Sequence, residues 1–336
     1  MMRGDMCEIM CKAADASPNV SYRFETTIQS IAQTPSDVTV SLKNRATNAT
    51  TSETFDFVIG ADGSNSRTRD FTMGSPEALD CFKPVGAYVA YFSIPKEARD
   101  GPLSRACQFP DRKILWIRPT NDDSDVSSVY IMHIRSGIPY MDEAIASHDR
   151  TKQKLAFAKN LEGLGWEAPR CTEAMMKTDN FYADNLQQVK LPTWSKDRVV
   201  LCGDSAWAPT PFTGQGNQLA IIGAYVLAQE MSRNRSTVAF GMYEKRLRAY
   251  VENAQSIPLN GYAPKLMCPE TAWGIKFFQM FFATLAWIVP KLMWTGPLLE
   301  KVWPESWKGW EALFDLEMTE AEEETARQAT LGKKKL

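Results

Sequence analysis

Residues 198–220 read "RVVLCGDSAWAPTPFTGQGNQLA". A short apolar run, Val199 to Leu201, has the pattern of a strand covered on both faces. It ends in Gly203-Asp204, a proline-rich loop comes next, and Gly214-x-Gly216 opens an apolar helix. Ligands of α/β sheets bind at the carboxyl ends of strands, which is where Asp204 falls. A carboxylate there accepts hydrogen bonds from a pair of vicinal ribose or ribityl hydroxyls. Pro209 and Pro211 stiffen the loop and reduce the entropy lost when it meets a ligand. Gly214 and Gly216 leave backbone N–H groups open at a helix N-terminus, where the helix dipole favours negative charge. Leu219, Ile222, Val226 and Leu227 recur at helical spacing, with Ala220, Ala224 and Ala228 as a small-residue stripe.

A second stretch has the same character. In "VIGADGSNSRTR", 58–69, an apolar run feeds a Gly-Ala-Asp-Gly turn, and Ser64 or Ser66 is placed to cap the next segment of chain. Gly60 and Gly63 allow close approach of the backbone to a ligand. Arg67 and Arg69 are cations suited to phosphate. Alone, this stretch reads equally as a strand ending in an Asp-Gly turn, and 198–220 as a glycine-rich loop. Neither is the dinucleotide fingerprint, because Leu219 stands where a third glycine is required and no G-x-G-x-x-G occurs in the chain.

Composition narrows the function. The 336 residues are 44% hydrophobic and 23% charged, with a net charge of -2. No basic footprint for nucleic acid exists. The cysteines are scattered without a Cys-x-x-Cys pair, which reads as reduced thiols. His133 and His148 are the two histidines, too few for most metal or Ser-His-Asp chemistry. No secretory signal is legible at the start, so a cytoplasmic setting is expected.

Hydrophobic patterning predicts a helix over 4–14 and strands at 20–24, 38–42 and 54–61. Strands dominate 85–135, helices come at 149–164, 216–231 and 237–254, and 198–204 is a buried strand. Tyr88, Tyr91, Phe92, Trp116, Tyr130 and Met132 suggest an apolar or aromatic guest, although alternating core residues give the same pattern. Residues 277–294, "FFQMFFATLAWIVPKLMW", contain an apolar core too short to span a bilayer comfortably. They read as a buried or interface-lying helix, with peripheral membrane association as the alternative. The ending Lys333-Lys334-Lys335-Leu336 resembles a dilysine retrieval signal, which would matter at the cytosolic face of the ER.

Taken together, Asp62, Gly63, Ser66 and Arg69 (D-G-x-x-S-x-x-R) and Gly203 to Gly216 (G-D-x-A-x-x-P-x-P-x-x-G-x-G) resemble the paired motifs of class A FAD-dependent monooxygenases, the aromatic-hydroxylase type. The resemblance covers about residues 1–255. It implies an α/β fold: an FAD-binding domain of the glutathione-reductase-like Rossmann type, incomplete here, a β-rich substrate insert and a helical C-terminal region. The expected parts are 1–80 and 191–255 for the FAD domain, 81–190 for the substrate domain and 256–336 for C-terminal helices and a charged tail. Arg3, in a segment similar to the family's R-x-x-L, is implied at the cofactor. Asp204 with Gly203 would hold a ribityl or ribose hydroxyl. Backbone from Pro211 through Gly214 and Gly216 to Asn217 would line the flavin and pyrophosphate. Asp62 would sit near the pyrophosphate and the path of NADPH, and Gly63 and Arg69 would also bind the cofactor. The family uses NADPH and oxygen to hydroxylate or epoxidise a small organic substrate, in some cases in secondary metabolism, and the cofactor supplies the chemistry. No catalytic acid or base is assigned. Trp207 stands where many members carry His.

The family's opening strand, G-x-G-x-x-G turn and helix are not in this sequence. The strands at 54–61 and 198–204 are therefore expected to lack a neighbour. Three readings stay open: a truncated monooxygenase, a short relative that has lost FAD and acts in binding or non-redox chemistry, and a membrane-associated accessory subunit.

Overall fold

The computed structural model describes residues 3–120 and 125–292. The charged tail, with its Lys333–Leu336 ending, and the end of the 277–294 stretch lie outside the described residues. The chain forms two compact units, 1–278 and 279–336.

Helix α1 (Arg3–Asp15) opens the chain. No strand forms at 20–24: Glu25 adopts a left-handed φ of 54°, and pairing begins only after it. Strands β1 (Thr26–Gln33), β2 (Val38–Asn44) and β3 (Thr50–Phe55) make an antiparallel meander. The expected strand over 54–61 is two strands in different sheets. Its first residues end β3, and β4 (Val58–Gly60) joins a second sheet. Val38 and Val40 of the meander pack on Val199, which locks the two sheets together. Helices α2 (Arg67–Met73) and α3 (Pro76–Leu79) come next.

The next five strands form one antiparallel sheet. They are β5 (Phe82–Pro95), β6 (Arg105–Phe109), β7 (Lys113–Pro119), β8 (Val126–His133) and β9 (Phe181–Val189), in the order β6-β7-β8-β5-β9. Between β8 and β9 the chain builds α4 (Pro139–Ala146), α5 (Arg150–Leu161) and α6 (Ala168–Lys177). These helices cover one sheet face, with Tyr88, Phe92, Leu115, Ile131, Met141 and Phe157 in the shared core. Period-2 alternation sends every second residue of each strand to the opposite face. Tyr88 and Phe92 are thus core residues, whereas Tyr91, Trp116, Tyr130 and Met132 lie on the other side.

The chain then returns to the second sheet through β10 (Ser195–Lys196) and β11 (Val199–Leu201). Strand β11 pairs parallel with β4, Val200 opposite Ile59, and antiparallel with β10. Among the described residues β4 has no partner on its other edge, and Ile59 is 47% exposed there. After β11 come helix α7 (Asp204–Trp207), a short 3-10 turn at Pro211–Thr213, α8 (Gly216–Arg233) and α9 (Val238–Ala254). Last come α10 (Ala263–Met267) and α11 (Ala272–Leu292). In the second unit Met280, Phe281 and Trp287 are exposed. No described helix is long and apolar enough to cross a membrane.

Candidate cofactor and substrate site

The two motif stretches meet because β4 and β11 are parallel neighbours that end side by side. Ser205 joins them. Its buried hydroxyl donates to the Gly60 carbonyl (2.6 Å) and lies 2.9 Å from the Cys202 carbonyl. The Cys202 N–H donates to Gly60 O at 2.9 Å as well. Arg69 completes the seam: its Nη1 donates to Ser64 O (2.9 Å) and to Ser205 O (3.2 Å), and its guanidinium lies over the Phe82 ring. Arg69 is fully buried. The structure therefore gives it a different task from the phosphate contact expected of it: a tie beneath the site, with Arg67 as the exposed cation of the turn.

Asp62 is exposed, yet both its carboxylate oxygens are engaged inside its own turn. Oδ1 accepts from Ser66 Oγ (2.5 Å), and Oδ2 accepts from Thr68 N–H and Oγ1 (3.0 Å each). Ser66 in turn caps α2 by accepting from the Arg69 N–H. Charge-assisted bonds of this kind make the turn rigid, and Asp62 shapes the loop rather than reaching out of it. Gly60 serves packing: an added Cβ would lie 2.7 Å from both Leu201 Cδ2 and Thr68 Cγ2.

Of the glycines above this seam, Gly63 and Gly214 face open space. Gly203 and Gly214 have φ of 72° and 66°, conformations L side chains rarely adopt. A Cβ on Gly63 or Gly214 would meet no atom within 4 Å. Helix α8 begins at Gly216 without a side-chain cap, and the Gly214 N–H just before it donates to Pro211 O at 3.1 Å. Asp204 and Asn217 are exposed beside this opening. A carboxylate at a strand end, an uncapped helix N-terminus and backbone concavities on both loops fit the ribityl and pyrophosphate parts of FAD. Arg3 opens α1, and its side chain lies outside the described ones.

Trp207 is a core residue. Its ring packs 4.5 Å from that of Trp194 and 5.7 Å from that of Tyr243. Gly223 of α8 provides the seat, since a Cβ there would come within 2.7 Å of Trp207 Cζ2. The Tyr243 hydroxyl donates to Leu201 O, fixing the end of β11. Helix α9 and this aromatic cluster therefore hold the end of β11, from which the chain runs on to Asp204 at the start of α7. Gln255 adds a second brace, donating to Val189 O (2.7 Å) and Ala208 O (3.2 Å).

The loop also touches the five-stranded sheet. Phe212, two residues before Gly214, packs on the face opposite the helices, against a cluster containing Val89, Tyr91, Ile114 and Met132. Tyr182 of β9 donates to Asp184 Oδ2 (2.6 Å). Its phenol pKa is raised by partial desolvation first, then by Asp184, Tyr91 and Asp204, which brings Asp204 within electrostatic reach of that sheet face. Sequence reading missed Ser205, Phe212, Tyr182 and Gly223. No local signal marked Tyr182, because β9 lacks regular alternation, and the Gly223 seat is visible only once Trp207 is placed. Among the described residues no group of acidic, His or Cys side chains is arranged to hold a metal.

Residues 4–239 match the model of the FAD binding domain family. The chain is 33% identical over 290 residues to monooxygenase CTB7 of Cercospora beticola, covering 85% of this chain and 68% of that protein. It is 30% identical over 259 residues to a flavin-dependent monooxygenase of Legionella longbeachae, covering 76% of this chain and 62% of that one. The fold superposes on the crystal structure of tetracycline destructase Tet(55) with a TM-score of 0.67 and 28% identity, over 84% of this chain and 71% of the other. The chain thus spans about three fifths to two thirds of the length of these curated relatives. It belongs to the class A FAD-dependent monooxygenase family.

Proposed function

We propose that the protein acts as a flavin-dependent monooxygenase that inserts one oxygen atom into an apolar or aromatic organic substrate, by hydroxylation or epoxidation, with NADPH as reductant. A role in tailoring secondary metabolites belongs to the same reading. The observation that carries it is the joined pair of loops: the stretches holding Gly63 and Gly214 follow β4 and β11, which end side by side, next to Asp204 and ahead of the uncapped start of α8. When bound there, FAD supplies the activation of oxygen.

The chain's own residues have three tasks. Asp204 accepts a hydroxyl of the cofactor's sugar chain. Backbone of the 211–217 turn and the start of α8 would line its anionic part. The apolar sheet face around Phe212 keeps water from the reacting edge. Arg69, Ser205 and Asp62 fix the loops in advance, so little reorganisation is needed on binding.

Titration of the purified full chain with FAD, followed by NADPH oxidation under air, tests the proposal. Saturable FAD binding with NADPH-dependent oxygen uptake supports it. A folded protein that binds no FAD overturns it and leaves a relative with a binding or non-redox role.

Exposed aromatic residues at the start of α11, Trp273 and Phe277, support a companion proposal of peripheral contact with the cytosolic face of the ER membrane. Cosedimentation with vesicles, lost in W273A/F277A, tests it.

A further inference from the structure

One charged side chain on the face of the five-stranded sheet away from the helices lacks a counter-charge. Strand β9 pairs with β5 so that Asp184 stands opposite Val89 and Tyr182 opposite Tyr91. Cross-strand partners share a face. Asp184 therefore continues the row of Ile114, Met132 and Val89, against whose cluster Phe212 of the glycine loop packs. Two neutral donors hold its carboxylate in place: Oδ2 accepts from the Tyr182 hydroxyl at 2.6 Å and Oδ1 from the Asn185 N–H at 2.8 Å. Asp184 is half-buried, and among the described residues no lysine or arginine forms an ion pair with it.

Cations elsewhere on the sheet are committed or distant. Arg112 pairs with Glu270 and Arg135 with Asp111. Arg118 shares the face with Ile114, but it lies three strand spacings across and four residues along from Asp184. Strand geometry makes that ~20 Å, well beyond the Debye length of ~8 Å at physiological salt. From the loop side Asp204 adds to the negative field, since its charge acts on the same Tyr182 phenol as that of Asp184. A ligand lying on the aliphatic row takes water away from the Asp184 carboxylate. A neutral ligand then leaves a desolvated charge unpaired, and an anionic one adds repulsion. A cation at that spot removes both costs and gains from the lowered local dielectric constant.

We propose that Asp184 selects a substrate bearing a protonated amine, seating the ammonium nitrogen within ion-pair distance of its carboxylate beside the Phe212 loop. The Tyr182 hydroxyl and the Asn185 N–H are positioning groups, which fix the carboxylate without neutralising it. This deepens the monooxygenase reading and rests on it for the claim that the bound molecule is a substrate.

The test uses the full chain with FAD present and three probes of similar shape and different charge: tryptamine (an ammonium), tryptophol (neutral) and indole-3-propionate (a carboxylate). Equilibrium dialysis gives the affinity of each, and FAD uptake is measured on the same sample. In the wild type tryptamine is expected to bind about five-fold more tightly than tryptophol, and indole-3-propionate more weakly than either. The preference should shrink as salt is raised. D184N is expected to bring tryptamine and tryptophol to nearly equal affinity, whereas D184E keeps the preference. A purely structural role would not reorder the probes by charge. D184S serves as a second neutral variant where D184N does not fold. Equal affinities for tryptamine and tryptophol in the wild type overturn the proposal. So does a preference unchanged in a folded neutral variant, or a wild type that binds none of the three probes. A tryptamine preference in a wild type that takes up no FAD would instead overturn the monooxygenase reading and spare the selection by Asp184.

Discussion

The Arg69 guanidinium donates to the carbonyl oxygen of Ser205, 136 residues further along the chain. One hydrogen bond thus joins the two loops proposed to cradle the cofactor, from a side chain with no exposure to solvent. The same nitrogen holds Ser64 O, so removing it releases both loops at once. Replacing Arg69 by Met fills the space but leaves two carbonyls without their donor. The expected outcome is a loss of about 2–4 kcal/mol in stability and weaker FAD binding, read by chemical denaturation and by cofactor titration.

Asp204 behaves differently, because its carboxylate is exposed at the mouth of the cradle rather than buried beneath it. Asp204→Asn keeps the shape and removes the charge-assisted acceptance of a sugar hydroxyl. FAD affinity is expected to fall at least about ten-fold, the equivalent of ~1.4 kcal/mol. The loss of affinity should exceed what any fall in the melting temperature without FAD accounts for. A matching fall in melting temperature would make Asp204 a structural residue.

Gly223 and Trp207 form a size-matched pair. Gly223→Ala is expected to cost about 1–3 kcal/mol, because the new Cβ meets a rigid indole held between Trp194 and Tyr243. Combining it with Trp207→Phe, which vacates that space, should cost less than the sum of the two single changes. A double-mutant cycle of denaturation curves measures this coupling. Simple additivity would show that the glycine is not there for the ring.

Asp100 gives the substrate domain a pH-dependent term. It is buried, and its carboxyl is held well below the usual carboxylate range, first by the hydrogen bonds from Arg170 and then by the Glu97 N–H, the Arg170 charge and Ser127. Its folded pKa lies below its unfolded one. The stability it contributes is therefore present above about pH 4–5 and is lost as pH falls toward the folded value. Asp100→Asn is expected to destabilise by about 3–5 kcal/mol at neutral pH, because Arg170 and Arg105 lose their buried partner. It should also flatten the decline of melting temperature between neutral and acid pH.

The geometry of the two glycine loops was legible in the sequence because its demands are local. A glycine at positive φ, a strand-end carboxylate and a helix start leave their marks within a few residues, as at Gly203, Asp204 and Gly214. What Arg69 does was not legible, since a cation in a phosphate-binding stretch reads as a ligand contact until burial places it beneath Ser205. The apparent strand at 20–24 had the right residue types, but Glu25 turns the chain before any partner is available. Helices α4 and α6 and strand β9 were missed for a related reason. The sequence of β9, "FYADNLQQV", loses its alternation where the β5–β9 register shifts between Pro84 and Tyr88. Alternation within β5 did separate Tyr88 and Phe92 from Tyr91. Only the cross-strand register, set by residues far apart in sequence, could show that Tyr91 lines up with Trp116, Tyr130 and Tyr182.

The central claim is that the joined loops at 58–69 and 203–217 form an FAD site in this chain. Isothermal titration of the monodisperse 336-residue chain with FAD tests it most directly, with visible absorbance recorded on the same sample. The expected result is one FAD bound per chain, with affinity reduced in both Asp204→Asn and Arg69→Met. A folded wild-type protein that takes up no FAD, or binds it equally well in both variants, would contradict the account.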